Sequence, residues 1–402
     1  MSAARSPVRI QFAHERRGGG VEDHPRVMVL GAVPPDSPWI GDQAPATVIR
    51  AGRLHHQSCA FEHTRLTGGS RLDLLPNLSS GPPSLLADAV ASVLRAGASE
   101  VDLVLWRAAG NPRPDLLHPA ITEQLPSFLA DHRGAILLFP DLKLAPAAQS
   151  QRLLVLIARQ IAESCQIVCL DAPDERPEAL VAALTGADLA LCRWRGDPDA
   201  MLGHAWRSAA AVIAGLLSTD RGQARSLTHR RAPLRPPRAG ALDRKAQLNP
   251  YRRGDFEEPS PGETDGLVDL LIDPVDNVGV VRSEHSLRRP RGEWPLPALL
   301  TVKQVHRRVA EAADRFVFRS VTTQEALNLT SGLHIALRPF MERGLLVGER
   351  GVGSPHIEGA VLRDSTAPGL GATISGYLRP WMQRVSMRVM VREGEKPSLV
   401  EA

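Results

Sequence analysis

The chain has 402 residues, 43% of them apolar and 23% charged, with a net charge of +4. That length supports two or more domains with ordinary cores, and an aromatic share of only 4% leaves those cores to Leu, Val, Ile and Ala. No stretch approaches the roughly 18 uncharged apolar residues of a membrane span. The basic opening MSAARSPVRIQFAHERR lacks the apolar run of a secretory leader, so assembly in the cytoplasm is expected, with Cys59, Cys165, Cys169 and Cys192 reduced.

Taken in chain order, Val8-Arg9-Ile10-Gln11-Phe12 alternates apolar and polar, the mark of a strand with one buried face. A second strand is predicted at 26–33 after the Gly18-Gly19-Gly20 turn, and 34–83, rich in Pro, Gly and His, reads as mostly loop. Apolar runs then recur at 101–106, 135–139, 167–171 and 189–192, separated by helical patterns at 84–96, 116–132, 147–164 and 178–186. Strands that are apolar throughout and alternate with helices predict a mostly parallel central sheet flanked by helices, an α/β fold. A helix over 205–217 closes this unit.

Periodicity fades over 219–298, where an irregular domain junction is expected. Residues 221–254 carry ten Lys or Arg against Asp243 alone, while 255–276 carry eight acids and no base. Segregated blocks of this kind face other chains or each other, and Arg230, Arg231, Arg235, Arg238, Glu257 and Glu258 are the candidate electrostatic interface. Beyond 301 a C-terminal α+β part is predicted: helix 302–314, strand 315–319, helix 323–343, strands 345–348 and 357–364, and a last strand over 386–392. In that last strand Met387, Val389 and Val391 share one side, and Arg388 and Arg392 the other.

Catalytic and cofactor motifs fare poorly. There is no Gly-x4-Gly-Lys-Ser/Thr to cradle phosphates, and the pairs Gly351/Gly353 and Gly369/Gly371 lack the third glycine of a dinucleotide fingerprint, so both are expected in turns. His55 and His56 are adjacent and diverge. Cys165 and Cys169 have no second pair to complete a zinc site. No Gly-x-Ser-x-Gly elbow occurs. Asp141 and Asp171 follow predicted strands, where α/β enzymes place acids, but capping a loop or the following helix is the favoured role. A nucleic-acid role for 221–254 is disfavoured by its single aromatic, Tyr251. No cofactor, metal or catalytic residue is expected.

The order of several segments resembles the contractile sheath family of phage tails, type VI secretion systems and extracellular injection systems. The segments are Phe139-Pro140-Asp141-Leu142, Ile167–Pro173, Ala187–Trp194 and Val281–Leu287. The most specific is Ser208–Gly215 followed by Thr219-Asp220-Arg221-Gly222, although Arg207 stands where the family has Pro. Residues 8–15 and 26–33 resemble the opening of the small subunit of two-component type VI sheaths. The resemblance implies five segments: N-terminal linker strands (1–33), a loop-rich segment (34–83), an α/β core (84–220), a charged junction (221–298) and a C-terminal domain (299–402). It further implies that terminal strands pair with neighbouring subunits through Val8, Ile10 and Phe12 at one end and Met387, Val389 and Val391 at the other. The implied partners are further copies of the chain as a helical homopolymer, an inner tube protein, baseplate and cap proteins and a second sheath subunit, in a particle that stays in the cell or is released. Neither nucleic acid nor membrane insertion is implied. The alternatives are an α/β, hydrolase-like enzyme with a degenerate site and a non-polymerising baseplate or cap component.

Overall fold

The computed structural model describes residues 25–33, 46–52, 85–98, 100–107, 120–131, 135–145, 147–161, 166–172, 177–195, 208–219, 225–233, 267–273, 278–288, 294–348, 353–362, 368–379, 381, 383–392, 395 and 397–401. Two compact units result, Met1–Gly222 with Leu227–Trp294, and Gln223–Ser226 with Pro295–Ala402.

The first unit is built on β1 (Val27–Val33), β2 (Ala46–Gly52), α1 (Leu86–Ala96), β3 (Glu100–Arg107), α2 (Leu125–Asp131), β4 (Ile136–Leu138), α3 (Ala147–Ile161), β5 (Ile167–Asp171), α4 (Pro177–Leu184), β6 (Leu189–Arg195), α5 (Ala209–Leu217), β7 (Arg231–Pro233), β8 (Leu267–Asp273) and β9 (Val278–Val281). The strands form one sheet in the order β2-β3-β1-β4-β5-β6-β8-β9-β7. From β3 to β8 neighbours run parallel, and β2, β9 and β7 add antiparallel edges. The apolar runs that defined these strands are buried on both faces, as Val27, Met28, Val29 and Leu30 show. On one face Met28, Leu30, Leu137, Val168, Leu170 and Leu191 meet Leu154, Ile157 and Ile161 of α3 and Leu180 and Leu184 of α4. Trp106 closes that core edge-on to Phe128, with ring centroids 5.7 Å apart. On the other face lie α1 and α5.

Two segments differ from the expectation. The stretch read as loop contains β2, paired antiparallel along the whole of β3. The stretch read as irregular contributes β7, β8 and β9 to the main sheet. In β8 the buried acid Asp269 interrupts the apolar run, and its neutralising partners sit on another strand.

The second unit consists of α6 (Leu296–Ala313), a 3-10 turn at Asp314–Phe316, α7 (Thr323–Glu342) and an antiparallel sheet of β10 (Leu346–Val347), β11 (His356–Leu362), β12 (Gly369–Leu378), β13 (Gln383–Arg392) and β14 (Ser398–Glu401). Helix α6 begins six residues before the predicted start, because Pro297 sits in the first turn, where its missing N–H is not needed. Helix α7 starts where expected. Thr322 Oγ1 accepts the Glu325 N–H at 3.2 Å, and Ala326, Leu329, Leu333, Leu337 and Phe340 line the buried stripe.

Two corrections apply here. Residues 315–319 are no strand: local bonds from Val317 N to Asp314 O and from Arg319 N to Phe316 O turn the chain between two helices. Gly369 and Gly371 lie inside β12 instead of a turn. A Cβ at Gly371 would come 2.9 Å from the Leu362 side chain, so its absence lets β11 approach. Gly353, at φ +74°, does sit in a turn.

Candidate functional site

The strand-end acids are the natural place to look for chemistry in a parallel sheet, and both carboxylates are spent on backbone amides. Asp141 is buried, and its Oδ1 accepts the Leu85 N–H at 3.0 Å, at the entry to α1. At Asp171, Oδ1 accepts the Ala210 N–H at 3.1 Å and Oδ2 accepts the Ser208 hydroxyl at 2.6 Å. Ser208 Oγ in turn accepts the Ala211 N–H at 2.9 Å. Together they satisfy the first turn of α5 and oppose its positive end. Burial raises the Asp171 carboxyl above its ordinary value, against the Ser208 and Ala210 hydrogen bonds and the nearby Lys143 charge. Both acids do cap, but not the helix that follows them as expected: Asp141 serves a helix 56 residues earlier and Asp171 one 39 residues later, past α4.

A third acid was missed by sequence reasoning. Asp269, at 0% exposure, accepts from Arg193 Nε at 2.7 Å and Arg195 Nε at 2.8 Å. Its own N–H donates to Ser283 Oγ at 2.9 Å, and the Ser283 hydroxyl donates to Leu267 O at 2.8 Å. Glu284 accepts from the Leu227 N–H. Residues 281–287 thus act as a clasp on β8, and the mid-strand acid was the only local signal.

Cys169 and Cys192 are free and buried on adjacent strands. Burial above all, then Cys169, pushes the Cys192 thiol well up, the opposite of an activated nucleophile. Cys59, Cys165, His55 and His56 lie outside the described residues. Among the described residues no group of three or more His, Cys, Asp or Glu is placed to hold a metal, and no helix is long and apolar enough to cross a membrane.

The segment Ser208–Gly215, singled out by its pattern, is the helix α5 with its cap. All of α5 is buried. Gly215 faces α1 so closely that a Cβ there would lie 2.6 Å from Ala96 Cβ and would also collide with the Val93 carbonyl oxygen.

The terminal segments come next. Val8, Ile10 and Phe12 lie outside the described residues. Met387, Val389 and Val391 point inward as the alternation required, at 0%, 0% and 2% exposure. Among the described residues strand β13 is bonded to β12 along its length and to β14 over Met387–Met390, so over that span both of its edges are taken within its own chain. Arg231 is exposed at the start of β7 and Arg230 is half-buried beside it, while Arg235, Arg238, Glu257 and Glu258 lie outside the described residues.

No protein-family profile and no curated protein matches the sequence. Solved structures do. A chain of the anti-feeding prophage baseplate, solved with 6-fold symmetry, matches with a TM-score of 0.50 and 12% identity over 92% of this chain and 92% of that one. The anti-feeding prophage helical sheath in its contracted state gives 0.48 and 13% identity over 92% and 90%. The contracted PVC sheath complex of an extracellular contractile injection system gives 0.48 and 12% over 98% and 96%. The chain has the fold of a contractile-injection-system component, an assignment that rests on the first of these matches.

Proposed function

We propose that this chain is a structural, non-catalytic subunit of a phage-tail-like injection machine, stacking in rings around an inner tube and driving it through a target membrane. The observation that carries the reading is the fold match over 92% of both chains. The capping duty of Asp141 and Asp171 agrees with it, since both carboxylates accept backbone N–H groups at helix starts. Assembly would begin in the cytoplasm with an inner tube protein, baseplate and cap proteins and a second sheath subunit as partners, and the finished particle could be released.

In this reading residues 8–12 add to a neighbour's C-terminal sheet, along the outer edge of β11. Val8, Ile10 and Phe12 would then extend the apolar floor laid by Met387, Val389 and Val391. Each main-chain bond so formed is worth about 0.5–1.5 kcal/mol net. Arg230, Arg231, Arg235 and Arg238 against Glu257 and Glu258 would select one packing over another, because exposed pairs contribute only about 0–1 kcal/mol each. Contraction would be a rigid-body repacking of a metastable array.

A second reading, a baseplate component that stops at a single ring, is favoured by the baseplate assembly from which the 0.50 match comes. Electron microscopy of the purified protein with and without residues 1–15 tests both. Striated hollow tubes from the full chain and none from the truncated one are expected. Small rings from the full chain would favour the baseplate reading, and normal tubes from the truncated chain would refute strand addition.

A further inference from the structure

We propose that the outer face of the C-terminal sheet, centred on Arg384 and Arg388, docks the acidic stretch 255–265 of a second copy of this chain. The inference rests on the reading of the chain as a self-assembling subunit and names one contact of that assembly, in which Arg384 and Arg388 take Glu257 and Glu258 in place of Arg230, Arg231, Arg235 and Arg238.

Strand β13 sends Val385, Met387, Val389 and Val391 into the core, so its alternate residues point away from it. Of these, Arg384 and Arg388 are exposed, and Ser386, Met390 and Arg392 are half-buried. Helix α7 packs on β11 and β12, and α6 on β13, on the inward side. Outward, Arg384 stands beside Tyr377, and Arg388 lies between Thr373 and Val400. Thr373 is exposed, and Val400 keeps 49% of its surface in solvent. Four strand residues separate the two guanidinium-bearing positions, roughly 13 Å at the usual rise. Ser386, the one outward residue of β13 between them, is short, and Val400 beside Arg388 is apolar.

The chemistry of the face selects its occupant. Guanidinium groups match carboxylates by paired, planar hydrogen bonds. A nucleic acid would find one aromatic there for stacking, Tyr377, and Glu358 beside Thr373 repels phosphate and carboxylate alike, which leaves the Arg384–Arg388 side of the face to the acidic chain. The chain itself supplies the complement. Residues 255–265 hold Asp255, Glu257, Glu258, Glu263 and Asp265 with no base. Pro259 and Pro261 bring no N–H, so this stretch is suited to recognition through its side chains and not to extending a ladder. The acids of β8 cannot serve, since Asp269 is already held by Arg193 and Arg195.

The test uses a labelled peptide of residues 254–266 and the full-length protein at low ionic strength, read by fluorescence anisotropy. Binding is expected, at least about tenfold weaker for Arg384→Glu with Arg388→Glu, and weakened in 1 M salt, where the screening length shrinks to about 3 Å. A peptide carrying Glu257→Arg, Glu258→Arg and Glu263→Arg should bind the double variant better than the native peptide does, a gain that misfolding cannot produce. Equal affinity of wild type and double variant for the native peptide overturns the proposal. So does duplex DNA of matched charge binding through the same arginines as tightly as the peptide. The absence of tubes in micrographs bears on the sheath reading and leaves this binding result standing.

Discussion

The contact between α1 and α5 offers the sharpest test of how this fold is held. Gly215→Ala places a methyl group 2.6 Å from Ala96 Cβ and against the Val93 carbonyl oxygen. Neither obstacle can rotate away, since one is backbone and the other is the first side-chain carbon, so the helices themselves must separate. Overpacking costs about 1–3 kcal/mol, and the upper half of that range, about 2–3 kcal/mol, applies where one of the two obstacles is a backbone oxygen. Alanine returns about 0.8–1 kcal/mol through its higher helix propensity, and the expected net loss is about 1–2 kcal/mol. With a urea slope near 3 kcal/mol/M, the unfolding midpoint followed by circular dichroism should fall by about 0.3–0.7 M. Gly332→Ala in α7 is the matched control. There the new methyl would meet Phe316 at 3.5 and 3.6 Å, ordinary contact distances, so only the propensity gain remains and the midpoint should hold or rise by about 0.3 M. A rise for Gly215→Ala equal to that of Gly332→Ala would refute the argument that close helix approach, and not helix content, makes glycine necessary.

Asp171 should leave a pH signature. Its carboxyl is raised in the fold, chiefly by burial, so the native state holds its proton more tightly than the unfolded chain. The resulting stability is fully present below the unfolded value of 3.8 and is lost as pH climbs through the raised native value. Relative to wild type, Asp171→Asn should therefore gain stability as pH rises from below 3.8, measured as the difference in urea midpoints; the opposite slope would show that the caps outweigh burial. Asp269→Ala leaves Arg193 and Arg195 without the carboxylate between them, while Ser283 keeps its bonds to the position-269 backbone N–H and to Leu267 O. A loss near 3 kcal/mol is expected, the low end for a broken buried pair because both arginines are 27% exposed. A midpoint within error of wild type would show that the triad is replaceable.

Much of the central sheet was legible because its strands are local events. Ile167–Leu170 is apolar throughout and cannot be satisfied at the surface, and the strand it opens, β5, has the expected bounds Ile167–Asp171. The inward set of β13 was legible for the same reason, as alternation alone assigns Met387, Val389 and Val391 to one side. Strand β8 was hidden because the charge of Asp269 is balanced by arginines 76 and 74 residues away. Strand β12 was hidden because its glycines, which look like turn residues, serve the approach of β11. At the strand ends, the chain order made Asp141 and Asp171 candidates, but the helices they cap could be identified only in space.

The sequence by itself determined where the chain is apolar on two faces, on one face or on none, and from that the alternation of strands and helices, because side-chain period is a local property. Only the tertiary structure decided which edges remain open, which carboxylates are already used and which arginines face outward. Those outcomes depend on partners brought together across many tens of residues, and no local pattern encodes a distant partner's position.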